Sequence, residues 1–194
     1  IIELIKKNSK NYDERSARII ADHFRAAIFV ISDGVMPSNT GRGYILRRLL
    51  RRVFTKASAV KLSSDFYIEL IKIISNIYNK TYPSIKVKFN SIVSTVQEEE
   101  KVFAKPLNGI ELYRLDLEAA KLGVVKKRGS ENISILKDKN TVSGLYIYKR
   151  FETYGNPIDL SIDVAKELGF KVDEEEINQA LKHHQAKSRT ASVG

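Results

Sequence analysis

The sequence predicts an all-α fold, a helical bundle with room for a short strand or hairpin near 131–137. Three observations lead there. Apolar residues recur at helical spacing through most of the chain. Serine, asparagine or aspartate stands where several helices would begin, and glycine or proline where they would end. One segment in the first third carries hydrocarbon along one side and guanidinium along the other.

The elements follow in order. Residues 1–8 read as the tail of a helix whose start lies outside the chain. Residues 13–32 place Ile19, Ile20, Ala26, Ala27 and Val30 on a 3.6-residue period. Asp33-Gly34 stops that helix, and Pro37-Ser38-Asn39-Thr40-Gly41 prolongs the break. A strongly patterned helix follows at 42–60. Ser63 or Ser64 is placed to cap the next, 65–79, which ends before Pro83. Residues 84–104 begin with strand-like alternation (Ile85, Val87, Phe89) and end as a helix over 89–104. A further helix over 107–122 is expected after a break or kink at Pro106. Residues 123–142 are the least periodic, with a basic Lys126-Lys127-Arg128 run that reads as a solvated loop. Helix returns at 143–153. Asn156 is expected to cap a helix opened by Pro157 and closed by Gly169. Asp173 and Glu176 form a capping-box pattern for the last helix. The expected division is 1–122 and 143–194, with 123–142 as a variable connection.

Composition narrows the function. Thirty-three Lys and Arg against 23 Asp and Glu give a net charge of +10, which favours a polyanionic partner. The absence of cysteine excludes disulfides, thiolate metal sites and a cysteine nucleophile, and it fits a reducing compartment. No apolar run approaches the ~20 residues of a membrane span.

Residues 41–54 are the most informative. At about 100° per residue, Arg47, Arg51, Arg48 and Arg52 fall at roughly 0°, 40°, 100° and 140°, and Leu49, Val53, Leu46, Leu50 and Phe54 fill the opposite arc. The apolar arc must dock on a core. Four like charges on two turns repel. Either acidic neighbours from elsewhere in the fold neutralise them, or they serve phosphates, which suit the forked donors of Arg. In the preceding loop, Ser38 and Asn39 sit where a chain can approach a groove, with Gly41 and Gly43 permitting close backbone contact. Asn39 is equally well read as an ordinary turn residue.

These residues carry a resemblance. Arg18-Ile19-Ile20-Ala21-Asp22-His23-Phe24-Arg25 and Ile31-Ser32-Asp33-Gly34-Val35-Met36-Pro37-Ser38-Asn39-Thr40-Gly41-Arg42-Gly43-Tyr44-Ile45-Leu46-Arg47-Arg48 resemble the tRNA-recognition region of the alanyl-tRNA synthetase family, with its R-x-I-A-D-H-x-R and A-D-G-x-x-P-S-N-x-G-R-G-Y-x-L-R-R patterns. Leu145 to Leu160 resembles the later L-Y-D-T-Y-G-F-P-x-D-L-T segment, and Ile177–Ser192 resembles the helix before the editing domain. The resemblance is weakest over 55–142.

It implies an excised, non-catalytic tRNA-recognition piece of a cytoplasmic class II synthetase. Its partners would be the acceptor stem of alanine tRNA and other domains of the same synthetase chain, with no membrane. ATP and Mg²⁺, and zinc in the editing domain, are implied for the parent, and no cofactor or metal for this piece. His183 and His184 read as surface residues on the final helix. The family reads a G·U wobble pair, whose guanine 2-amino group projects into the shallow RNA minor groove and needs a hydrogen-bond acceptor. The resemblance puts base reading on Asn39, on Glu152 (where the family has Asp) and on Asp159, with Asn39 and Glu152 facing one base pair. Asp159 also fits a plain role at a helix start. Phosphate binding falls on Arg42, Arg47, Arg48, Arg51 and Arg52. Two rivals stand beside this reading: a helical RNA-binding or interaction module that has lost specific tRNA recognition, and a generic basic nucleic-acid-binding domain.

Overall fold

The computed structural model describes residues 1–128 and 133–191, with the side chains of Arg128, Gln185 and 187–191 left aside. Helices dominate the described residues, as the composition and periodicity predict. Two units can be distinguished, Ile1–Ala104 and Lys105–Gly194.

The first unit contains α1 (Ile2–Asn8), α2 (Glu14–Ser32), α3 (Gly41–Ala59), α4 (Asp65–Tyr78), α5 (Pro83–Val87) and the first half of α6 (Phe89–Lys121). Asp13 caps α2 by accepting from the Ser16 N–H at 2.8 Å. Ser16, through its hydroxyl first and this N–H second, holds the Asp13 carboxyl below its ordinary pKa. The core is Ile20, Phe24 and Ile28 of α2, Leu46, Leu50, Val53 and Phe54 of α3, and Leu70, Ile71 and Ile74 of α4. Phe103 closes it from α6, its ring 6.3 Å from that of Phe54.

The second unit contains the rest of α6, then β1 (Lys127–Arg128), β2 (Ile133–Ser134), β3 (Leu136–Asp138), β4 (Thr141–Val142), α7 (Gly144–Tyr154), α8 (Ile158–Glu167), β5 (Lys171–Val172) and α9 (Glu174–Ala191). β1 pairs antiparallel with β2, and β3 with β4. The expected strand near 131–137 is therefore present at 133–138, with residues 131 and 132 outside the described set. β5 adds to β4 in parallel, a pairing of residues 30 positions apart (Thr141 with Lys171, Val142 with Val172) that no local pattern announces. Ser143 caps α7, accepting from the Tyr146 N–H, and Asp173 caps α9, accepting from the Glu176 N–H at 3.0 Å.

Four local expectations are corrected. Pro106 lies inside α6 and does not divide it. The apolar stripe keeps its helical period on both sides of the proline (Ile92, Val96 and Phe103, then Ile110, Tyr113 and Leu117), and its burial outweighs the lost N–H. Residues 83–87 form a helical turn, not a strand, with Pro83 at its first position. Ser64 stands at the α4 N-cap but its side chain accepts from no backbone N–H there, and its hydroxyl donates to the Glu100 carboxylate at 2.7 Å. Asn156 does not cap α8. Pro157 holds that position, and Asn156 is fully buried against Gly109 with neither amide atom hydrogen-bonded. No helix among the described residues is long and apolar enough to cross a membrane.

Candidate nucleic-acid interface

The α3 apolar arc docks as the wheel requires: Leu46, Leu50 and Val53 are fully buried and Phe54 nearly so. The loop before it folds back over the start of α3. A side chain at Gly43 would collide with the Ser38 hydroxyl and the Met36 carbonyl, so only glycine fits there. Gly41 has φ +57° with open space around it, so its backbone conformation, not close packing, favours glycine. Asn39 and Arg42 are exposed at this end, together with Met36, Tyr44 and Ile45.

The arginine arc is anchored from α6. Arg51 Nε donates to Glu99 at 2.8 Å and Arg47 Nε donates at 3.2 Å, one to each carboxylate oxygen. The Glu99 side chain is 3% exposed, and each arginine side chain is 20% exposed. The Arg51 guanidinium also lies over the Phe103 ring, 5.1 Å from its centre. Arg47 Nη1 donates to Asn39 Oδ1. For Arg47 and Arg51, then, the acidic neighbour from elsewhere in the fold exists. One carboxylate against two guanidiniums still leaves this trio positive. Arg48 is exposed and Arg52 half-buried on the same arc. Glu99 is the residue that sequence reasoning missed. Its signal was available: Ile92, Val96, Glu99 and Phe103 fall within roughly 60° of one another on a helical wheel. A carboxylate in the middle of a buried stripe demands a cation.

The second unit holds Glu152 and Asp159. Glu152 lies on the last turn of α7, beside a groove of about 390 Å³ lined by Leu145, Tyr148, Lys149, Glu176 and His184. Lys149 Nζ donates to one Glu152 oxygen at 2.8 Å and the Tyr148 hydroxyl to the other at 3.1 Å. The lysine bond first of all holds the Glu152 carboxyl below its ordinary range, against the opposing effect of burial and with the tyrosine bond adding to it. The Tyr148 hydroxyl is pushed up, by burial first and by its bond to Glu152 second. His183 and His184 are exposed on α9, with the His184 ring 6.2 Å from that of Tyr148. Asp159 sits half-buried in the first turn of α8, where a carboxylate complements the helix dipole. Arg150, next to Lys149 in sequence, turns inward. It donates to the Gly109 carbonyl at 2.6 Å and pairs with Asp116 at 3.6 Å. Asp116 also accepts from the Tyr146 hydroxyl at 2.6 Å.

Comparison with known proteins gives a consistent family. The family described as "tRNA synthetases class II (A)" matches residues 1–194. Alanine–tRNA ligase of Psychrobacter arcticus is 36% identical over 183 residues, covering 94% of this chain and 19% of the relative. The same enzyme of Streptococcus pyogenes is 35% identical over 197 residues, covering 100% of this chain and 21% of the relative. That of Francisella tularensis subsp. novicida is 35% identical, covering 97% and 20%. The chain thus spans about a fifth of the length of these relatives. With a family match along its whole length and relatives at this identity, the chain belongs to the class II (A) tRNA synthetases.

Proposed function

We propose that this chain is the tRNA-recognition part of an alanine–tRNA ligase. The α3 arginines hold acceptor-stem phosphates, and Asn39 reads the guanine amino group of a G·U pair. The observation that carries this reading is the bond from Arg47 to Asn39 Oδ1. It ties a base-reading side chain to a phosphate-binding one, so a backbone docked on the arginines brings a minor groove to Asn39. The amide oxygen has two lone pairs, so one remains for the guanine amino group. Phosphate contacts set position, and the amide supplies the sequence information.

In this reading the parent enzyme joins alanine to its tRNA with ATP and Mg²⁺, and its editing zinc lies elsewhere in the longer chain. Among the described residues no group of three His, Cys, Asp or Glu side chains is placed to hold a metal ion. A second reading, a module that has lost specific recognition, draws support from Glu152, whose two oxygens are already engaged by Lys149 and Tyr148.

Alanine charging by the full-length protein separates the two. Asn39→Ala should lose about 1–3 kcal/mol of transition-state stabilisation on a G·U stem and almost none on a G·C stem, by analogy with base contacts in DNA. Equal losses on both stems would reduce Asn39 to a loop residue.

A further inference from the structure

Glu99 has no role in the contacts proposed above, yet it is the best-buried charge beside them. Its two oxygens are shared between arginines one helical turn apart. Both arginines are held by Nε, the inner nitrogen of the fork. For Arg47 a terminal nitrogen then reaches Asn39. Phe103, one turn along α6 from Glu99, supports the Arg51 guanidinium from beneath. Long side chains normally lose substantial rotamer freedom when they engage a ligand. Here much of that freedom is already gone.

We propose that Glu99 and Phe103 are positioning residues that pre-order Arg47 and Arg51 for RNA phosphates and, through Arg47, set the Asn39 amide. The proposal rests on the reading that this face binds the acceptor stem. It differs in sign from the simpler idea that Glu99 only offsets charge. If Glu99 is a counter-charge, removing its charge tightens RNA binding on every stem, because the face becomes more positive. If it positions, matched binding weakens despite the added positive charge.

The test uses the full-length protein and two RNA hairpin stems, one with the G·U pair and one with G·C. Glu99→Gln keeps the shape and removes the charge. It should leave G·C binding equal or tighter and weaken G·U binding, so that discrimination falls by at least about fivefold, the lower end for one base-specific contact. Glu99→Asp keeps the charge but is one methylene shorter, too short to serve both arginines, so discrimination should fall there too. Phe103→Leu changes no charge and should lower discrimination less, with the arginines still held by Glu99. Should Glu99→Gln fail to fold, Phe103→Leu and Glu99→Asp carry the test. Equal tightening on both stems in Glu99→Gln, with Glu99→Asp and Phe103→Leu like wild type, would overturn the proposal. Failure of the underlying reading looks different: Arg47→Ala and Arg51→Ala would then leave binding to both stems unchanged.

Discussion

The α3 face and the end of α7 each give one carboxylate two donors, but with a different balance of charge. On α3 one buried carboxylate serves two guanidiniums, and positive charge is left over. On α7 one half-exposed carboxylate receives one lysine and one neutral hydroxyl, and that trio is left without net charge. The first arrangement is ready for an anion. The second is charge-balanced, and a base that sought Glu152 would use the lone pairs that Lys149 and Tyr148 leave on its oxygens. The charge left over after pairing, more than the number of partners, separates the two surfaces.

The contrast breaks most visibly if the anchoring is removed. Arg47→Ala with Arg51→Ala would strand Glu99 in a buried position. That should cost about 3 kcal/mol, at the low end for a broken buried pair because the arginines are partly exposed. Chemical denaturation measures it. Adding Glu99→Leu should recover most of the loss, and no recovery would mean that Glu99 is stabilised by something else. A smaller effect of the same kind is expected in the second unit. Tyr146→Phe removes the hydroxyl that donates to buried Asp116 and should cost about 1–2 kcal/mol.

Asn156 offers an effect of opposite sign. It is buried with no hydrogen-bond partner, so Asn156→Leu should stabilise the fold by about 1 kcal/mol. A destabilised variant would imply that Asn156 has polar partners. The smallest effect belongs to Glu152. Its folded pKa lies below its unfolded value, so its contribution is present above the ordinary carboxylate pKa and lost as pH falls through the folded one. Glu152→Gln should therefore be slightly less stable than wild type at pH 7, by no more than about 0.5 kcal/mol, and the two should converge as the solution is acidified. A difference independent of pH would show that the carboxylate's charge is not what matters.

Local rules made much of this fold legible. The 3.6-residue period located α2, α3 and α4, and Asp173 caps the last helix as expected, while the Asp13 cap of α2 and the αL residue Gly155 at the end of α7 emerge only in the structure. What escaped was set by partners distant in sequence. Pro106 reads as a break because the rule is local, while the burial that keeps α6 intact is not. Asn156 has the chemistry of a cap, but its position in the fold is interior. β5 pairs with β4 only because α7 and α8 return the chain. The α3 arginine face was visible residue by residue. Its anchor was not: Glu99 lies 48 residues beyond Arg51, within an acidic run (Glu98-Glu99-Glu100) that looks solvated until its phase against Ile92, Val96 and Phe103 is counted.

The central claim is that Arg47 and Arg51 hold phosphates of the acceptor stem. The most direct measurement is the salt dependence of stem binding by the full-length protein in which Arg47→Met, Arg51→Met and Glu99→Leu are combined. This set removes the whole trio without leaving a buried charge and changes net charge by only one unit. The slope of log K against log salt should become shallower by roughly 0.7–0.9 for each lost contact, so about 1.4–1.8 for the pair. A slope identical to that of wild type, in a variant that remains folded, would place the phosphates elsewhere and contradict the account.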